Sequence, residues 1–240
     1  KYRQIASEVI DYLDNRALRT EEGGISHLGT VDVFGPTLWL DSLFMFGNVW
    51  IRWAELTSSP TKLNQYEEQF QVFTSLLQDE SGLYTHAAHW VLDQEEGLFW
   101  ARGNAWLTTA TYDYLRARRI RNETDTATEK ALARQVTRIL ELQDSASGLW
   151  WTVLSHPDNL YTETSASALF VYGLARAWRY GFQNESVLTA IAAAMTGIHS
   201  RIELDSESRP IVKGTSGPTN AGDWNAYANV PQLDDVNYGI

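Results

Sequence analysis

PTLWLDSLFMFGNVWIR, residues 36–52, is long enough for about four helical turns and too apolar for a surface helix. At about 100° per residue, Thr37, Asp41, Phe44, Asn48 and Arg52 share one stripe about 60° wide. Leu38, Trp39, Leu40, Leu43, Met45, Phe46, Val49, Trp50 and Ile51 cover the other sides, so the spacing predicts a helix buried nearly all round. Asp41 is the acid in its middle. A carboxylate there is costly to ionise unless a cation or several donors face it, which is the condition for a general acid working near neutral pH. The other reading leaves the stripe facing solvent and Asp41 an ordinary surface acid.

Outward from this helix, the chain reads as one helical domain. With 240 residues, 44% of them hydrophobic, it can bury one sizeable core. Tyr2 to Asn15 is amphipathic and ends at the turn Thr20 to Gly24; Leu63 to Leu77 turns Tyr66, Phe70, Phe73 and Leu77 to one side. Further helices are predicted over Ala105 to Arg118, Thr126 to Leu142, Thr164 to Tyr180 and Ser186 to His199. Strand-like alternation is confined to Leu83 to Val91 and Leu149 to Val153.

Two loops repeat. QDESGLY, from Gln78, and QDSASGLW, from Gln143, both follow helices, and their glycines, Gly82 and Gly148, stand 66 residues apart. One helix hairpin fits in that interval, so the unit is a hairpin with a long loop at one end, the repeat of a helical toroid. Its inner helices are those of Asp41, Trp106 and Phe170, and their loop ends form the ligand cleft.

The formal net charge of −11 opposes general affinity for nucleic acid or anionic membranes. No cysteine is present, and the five histidines lack metal-ligand spacing, so no metal or other cofactor is expected. No run is apolar enough to span a membrane, and the opening residues read as amphipathic helix rather than as a signal peptide. Sequons at Asn122 and Asn184 lie in polar breaks and allow secretion. Ten tryptophans and eleven tyrosines suit a cleft for sugar rings, although a large helical core also takes them.

A second chemical stretch is GLFWARGNAW, residues 97–106, where Arg102 lies one helical turn from Trp106. A planar guanidinium against an aromatic face suits a sugar carboxylate; bracing of a neighbouring helix is the alternative. Asn220, Asp223, Trp224 and Asn225 in the tail could bond sugar hydroxyls, or simply make loop.

LWLDSLFM (38–45), GLFWARGNAW (97–106), SGLWWTVL (147–154) with YTETSASALFVYGLA (161–175), and NVPQLDDVNYGI (229–240) resemble, in order, motifs of the unsaturated glucuronyl and rhamnogalacturonyl hydrolases, glycoside hydrolase families 88 and 105. ETSASA and DDVNYG bring the chain closer to family 105. The resemblance implies an (α/α)6 barrel, a six-hairpin toroid, acting on oligosaccharides that end in a Δ4,5-unsaturated uronic acid. It implies hydration of the C4=C5 bond without a metal, with Asp41 as general acid/base. By the same match, substrate contacts fall on Arg102 and Trp106, and on His86, with His89 its rival; Trp39 and Trp224 are further substrate-binding candidates. A single acid at the reacting bond removes the usual need for a carboxylate pair at fixed separation.

The chain also departs from the pattern. Family members carry a longer segment before the Asp41 helix, with a second important aspartate that Asp11 and Asp14 do not match, and they continue past residue 240. Residues 1–240 are therefore expected to form a single toroid domain lacking the first hairpins and the last helix, with about seven helices and an eighth beginning at Asp235. A homo-oligomer or a further chain segment is expected to cover the apolar surface left open. The alternative function is a non-catalytic sugar- or partner-binding remnant. Which sugar follows the uronate stays open between rhamnogalacturonan, ulvan and glycosaminoglycan fragments.

Overall fold

The computed structural model describes residues 2–31 and 33–236. In chain order these form α1 (Tyr2–Asn15), β1 (Leu38–Trp39), α2 (Leu40–Thr57), α3 (Thr61–Leu77), β2 (Ala87–Ala88), α4 (Ala101–Ile120), α5 (Thr126–Glu141), β3 (Trp150–Trp151), β4 (Thr162–Glu163), α6 (Thr164–Arg179), α7 (Ser186–His199), β5 (Ile202–Leu204), β6 (Pro210–Val212), β7 (Thr215–Ser216), α8 (Trp224–Ala228) and β8 (Gln232–Leu233).

The helices lie in two layers. α4 packs between α2 and α6, making the inner layer, and α3, α5 and α7 pack outside it. Burial explains the division: α4 is buried almost continuously from Ala101 to Arg118, whereas α5 buries only Thr128, Leu132, Gln135, Val136 and Ile139, one amphipathic stripe. One hydrophobic cluster runs through both layers from Ile10 to Ala194, with Trp50, Tyr66, Phe73, Trp150 and Phe170 among its largest members.

The repeated loops are built alike. Gln78 donates from Nε2 to Gly82 O at 2.9 Å and Ala131 O at 3.0 Å, and Gln143 donates to Gly148 O at 2.7 Å and Ala190 O at 2.8 Å. Each glutamine thus ties its own turn to the next outer helix. Gly82 and Gly148 hold φ of 91° and 73°, and a Cβ on either would strike the main chain of Arg134 or Ala193. After each turn the chain joins the head of the next inner helix: Tyr84 N donates to Asn104 Oδ1 at 3.0 Å, and Trp150 N donates to Ser167 Oγ at 3.1 Å. The hairpin repeat legible in the sequence is therefore real at the level of individual hydrogen bonds.

Several expectations need correction. The α2 helix is not buried all round: Met45 is 52% exposed and Arg52 is exposed, because this flank faces an open groove. Asp41 shares the stripe but is buried, since loops cover that end of the helix. The Trp106 helix starts at Ala101, four residues early, so Arg102 lies inside its first turn. An eighth helix does occur among the described residues, but it is the short α8 in the tail; Asp235 and Val236 are not helical, and residues 237–240, with the end of the DDVNYG motif, lie outside the described residues. Among the described residues, the β5–β6 hairpin was not foreseen.

Candidate active site

The inner helices α2, α4 and α6 begin at one end of the molecule, and each has a polar side chain as its second residue: Asp41, Arg102 and Ser165. Short ladders deliver the chain to these positions. Trp39 pairs with Ala87, Trp100 bridges to Val153, and Glu163 pairs with Trp150, so the connecting loops are gathered over the helix heads.

Asp41 occupies the first turn of α2, where the exposed N–H ends of the helix favour a carboxylate. Its Oδ2 lies 3.5 Å from His86 Nε2, while Oδ1 is buried with no hydrogen-bond partner. His86 is only 1% exposed and is held on three sides. Its Nδ1 is 3.2 Å from Tyr227 Oη, its ring lies 4.5 Å from that of Trp100, and Trp39 meets it edge-on at 5.1 Å. Burial, with the Asp41 charge nearby, pushes the Tyr227 hydroxyl well above its ordinary pKa, so Tyr227 stays protonated.

His27 completes this cluster. Its ring stacks on Trp39 at 4.7 Å and 13°, and its Nδ1 is 2.9 Å from Ser42 Oγ. It therefore touches the residues on either side of Asp41 while keeping one edge in solvent. Burial of the stacked face lowers its pKa, opposed by the attraction of Asp41 and aided by repulsion from His86.

Arg102 is buried among the aromatic faces of Trp100, at 4.8 Å, and Trp106, at 5.6 Å. Its Nη1 donates to Ser216 O at 2.6 Å and its Nη2 to Gly217 O at 2.8 Å, with Glu163 Oε1 at 3.6 Å. The fork expected to meet a sugar carboxylate thus meets the tail's main chain, as in the bracing alternative. Glu163 works from the other side: its Oε1 accepts from Ser165 Oγ at 2.7 Å and Ser216 N at 2.8 Å, and its Oε2 accepts from Ala166 N, capping α6. Together they fasten β7 across the helix heads.

The other sequence candidates fall in different places. Trp106 is half-buried, stacked on Phe44 at 6.0 Å, and lines a groove of about 650 Å3 between α2, α4 and α6 whose far end reaches Arg52 and Asp113. Trp39 is 6% exposed, with one face covered by His27, so it supports the cluster from within. Trp224 lies beside His156 at 5.0 Å and packs against the small cluster that holds Trp100 and Tyr227. Asp223 caps α8 through Ala226 N at 3.1 Å and accepts from Asn225 at 3.2 Å, so those tail groups satisfy the tail itself. Of the two histidines, His86 is brought to Asp41, whereas His89 sits outside on Glu22 at 3.1 Å. Asp14 is paired with Lys62 and Asp11 with Arg16, at 3.4 Å, and neither enters the cluster. Sequence reasoning missed His27, Trp100, Glu163 and Tyr227; of these only Trp100 and Glu163 stood inside quoted motifs.

Among the described residues no three or more His, Cys, Asp or Glu side chains gather as for a metal ion, and no helix is long and apolar enough to cross a membrane.

This stack of helix hairpins, with a buried acid–histidine pair at its loop end, belongs to Glycosyl Hydrolase Family 88, whose model matches residues 1–240. A curated relative, the unsaturated rhamnogalacturonyl hydrolase YesR of Bacillus subtilis, is 28% identical over 238 residues, covering 96% of this chain and 65% of its own length. Among solved structures, a family 105 glycoside hydrolase of C. acetobutylicum superposes with a TM-score of 0.87 at 22% identity, over 99% of this chain and 70% of its own. A possible family 105 member from Klebsiella pneumoniae gives 0.83 at 27% identity, over 99% of this chain and 62% of its own. The six-hairpin fold class is thus the one the motifs implied, and the chain spans about two thirds of the length of these proteins.

Proposed function

We propose that the chain carries the reacting centre of a hydrolase that hydrates the C4=C5 bond of a Δ4,5-unsaturated uronic acid at the non-reducing end of an oligosaccharide. The observation that supports this best is Asp41 itself: a buried carboxyl whose Oδ1 lacks any partner and whose Oδ2 faces a fixed imidazole. A buried polar atom left unsatisfied is costly, and a reacting substrate is a reason to keep it so. Family membership and the activity in the name of the Bacillus subtilis relative agree with the reading.

The chemistry balances with one carboxyl. Protonated Asp41 gives its proton to C4 as the double-bond electrons form the C4–H bond, leaving positive charge at C5 shared with the ring oxygen. A water oxygen bonds to C5 and returns a proton to Asp41, restoring the acid. The resulting hemiketal opens by breaking the bond from C5 to the ring oxygen, giving a ketone at C5. C1, now a hemiacetal, releases the next sugar as an alcohol. His86, fixed by Tyr227 and Trp100, keeps the Asp41 carboxyl in one orientation through these steps.

The test is loss of absorbance of the conjugated uronate when products of a polysaccharide lyase are added. Turnover by the wild type and none by a folded Asp41→Asn protein is the expected result. Equal turnover by both would remove Asp41 from the mechanism. A folded wild-type protein that binds the saccharide without consuming it would make the chain a sugar-binding relative instead.

A further inference from the structure

Tyr227 reaches the Asp41–His86 pair from the tail, where α8 sets its ring against Leu98, Trp100 and Val153. Its hydroxyl and the imidazole are both withdrawn from water, Tyr227 being 2% exposed and His86 1%. Two groups so buried must settle between themselves which one donates. What each atom can offer decides it.

The Tyr227 oxygen is 3.2 Å from His86 Nδ1. It also meets the Gly222 main chain, through a hydrogen bond that pulls the phenol pKa down against the rise caused by burial. Only a donated N–H favours the ionised oxygen, so the hydroxyl accepts from Gly222. Its own proton is left for a second partner, and among the described residues the acceptor within reach is His86 Nδ1. A neutral imidazole that accepts at Nδ1 carries its hydrogen on Nε2. Nε2 makes no hydrogen bond closer by and stands 3.5 Å from Asp41 Oδ2. Catalytic contacts of this length tighten once substrate is bound.

The opposite tautomer would set Nδ1–H against the phenol and aim the Nε2 lone pair at Asp41. An ionised Asp41 would then meet it lone pair to lone pair, and a protonated one would bond its hydrogen to Nε2, away from a sugar.

We infer that Tyr227 is a positioning residue: by donating to Nδ1 it holds His86 in the Nε2–H tautomer, so that Asp41 Oδ2 accepts from the ring and the acid proton stays on Oδ1. Oδ1 is the buried oxygen without a partner. The step at Oδ1 rests on the hydrolase reading, whereas the tautomer is a property of the protein alone.

Two measurements test these parts separately. Nitrogen chemical shifts of isotopically labelled histidine, with the His86 signal identified by its loss from His86→Gln, report which ring nitrogen carries hydrogen. The wild type should show Nε2–H with a bare Nδ1, and Tyr227→Phe, which keeps the ring but cannot donate, should shift the signal toward Nδ1–H. A wild-type Nδ1–H tautomer, a doubly protonated ring, or a tautomer indifferent to Tyr227→Phe would overturn the inference. Turnover of a lyase-produced unsaturated disaccharide is the second readout. There Tyr227→Phe should lower kcat by about tenfold to a hundredfold and leave KM within about twofold, since the change falls on proton transfer rather than on sugar binding. In His86→Gln, whose amide N–H can face Asp41 whatever Tyr227 does, adding Tyr227→Phe should cost less than about twofold more. Equal losses in both backgrounds would mean that Tyr227 does not act through His86, and would overturn the inference too. A wild type that consumes no unsaturated saccharide would remove the hydrolase reading and the Oδ1 step with it, while the spectrum still decides the tautomer.

Discussion

The two ends of the inner helices are held by opposite kinds of chemistry. At the far end, Asp113 of α4 is 2% exposed; it accepts from Arg52 of α2 at 2.8 Å and from the Tyr172 hydroxyl at 3.3 Å, and forms an ion pair with Arg176 of α6 at 3.0 Å. One carboxylate there ties three helices, and nearby Arg118 is likewise matched by Glu67 at 2.7 Å and Glu123 at 2.6 Å. At the loop end, Asp41 has one histidine at 3.5 Å and an oxygen with no partner. Charges that tie the helices together are matched on several sides, whereas the acid proposed for the chemistry keeps one oxygen without a hydrogen-bond partner.

Substitution at each end should separate these roles. Asp41→Asn has the largest expected effect, a loss of turnover of about a thousandfold to ten-thousandfold, because an amide has no proton to give. Thermal unfolding should be almost unchanged, since no hydrogen bond is lost. A large drop in melting temperature would mean that Asp41 belongs with the structural charges after all.

Asp113→Ala should do the reverse. It leaves the half-buried Arg176 and the exposed Arg52 guanidiniums facing one another without their shared carboxylate, which costs about 2–3 kcal/mol once the solvent access of Arg52 is allowed for. Denaturant unfolding would read this as a lower midpoint, with kcat at low temperature little altered. If Asp113→Ala abolished turnover in protein that is still folded, the division between the ends would fail.

How much of this was legible beforehand depended on distance along the chain. The α2 stripe and the Gln-to-Gly loop repeat come from local spacing, and the sequence carried them; His86 was reached only through the family resemblance, as a substrate contact with His89 its rival. Tyr227 meets His86 across 141 residues, from a five-residue helix too short to show a period, so nothing local announced it. The partners of Arg102 are equally remote. An arginine between aromatics reads as a ligand contact, yet the carbonyls of Ser216 and Gly217 that occupy it lie more than a hundred residues on.

That occupancy supplies an intermediate case between the two ends. Arg102→Lys keeps the charge but cannot reach both carbonyls, so β7 should loosen at a cost of about 1–2 kcal/mol. Limited proteolysis would show it as faster cleavage between residues 213 and 235. Unchanged cleavage together with weaker saccharide binding would restore the carboxylate-recognition role.

The smallest expected effect sharpens the comparison most, because it concerns a group shared by fold and chemistry. His27 stacks on Trp39 and bonds Ser42, and burial of that face holds its pKa below the ordinary histidine value of 6.5. With the folded value depressed, the unfolded chain binds more protons as the pH drops through 6.5. Stability from this group is therefore complete above pH 6.5 and lost as the pH falls from there through the folded value. Denaturant midpoints measured from pH 8 down to pH 5 should decline for the wild type and decline less for His27→Phe, which keeps a stacked ring but cannot titrate. Asp41 pulls the His27 pKa upward, so Asp41→Asn should depress it further and carry the loss to lower pH. If His27→Phe followed the wild-type curve, or if stability rose as the pH fell, His27 would be no part of the electrostatics around Asp41. Its stack on Trp39 would then be packing alone, and the unmatched acid would have a single imidazole, His86, for company.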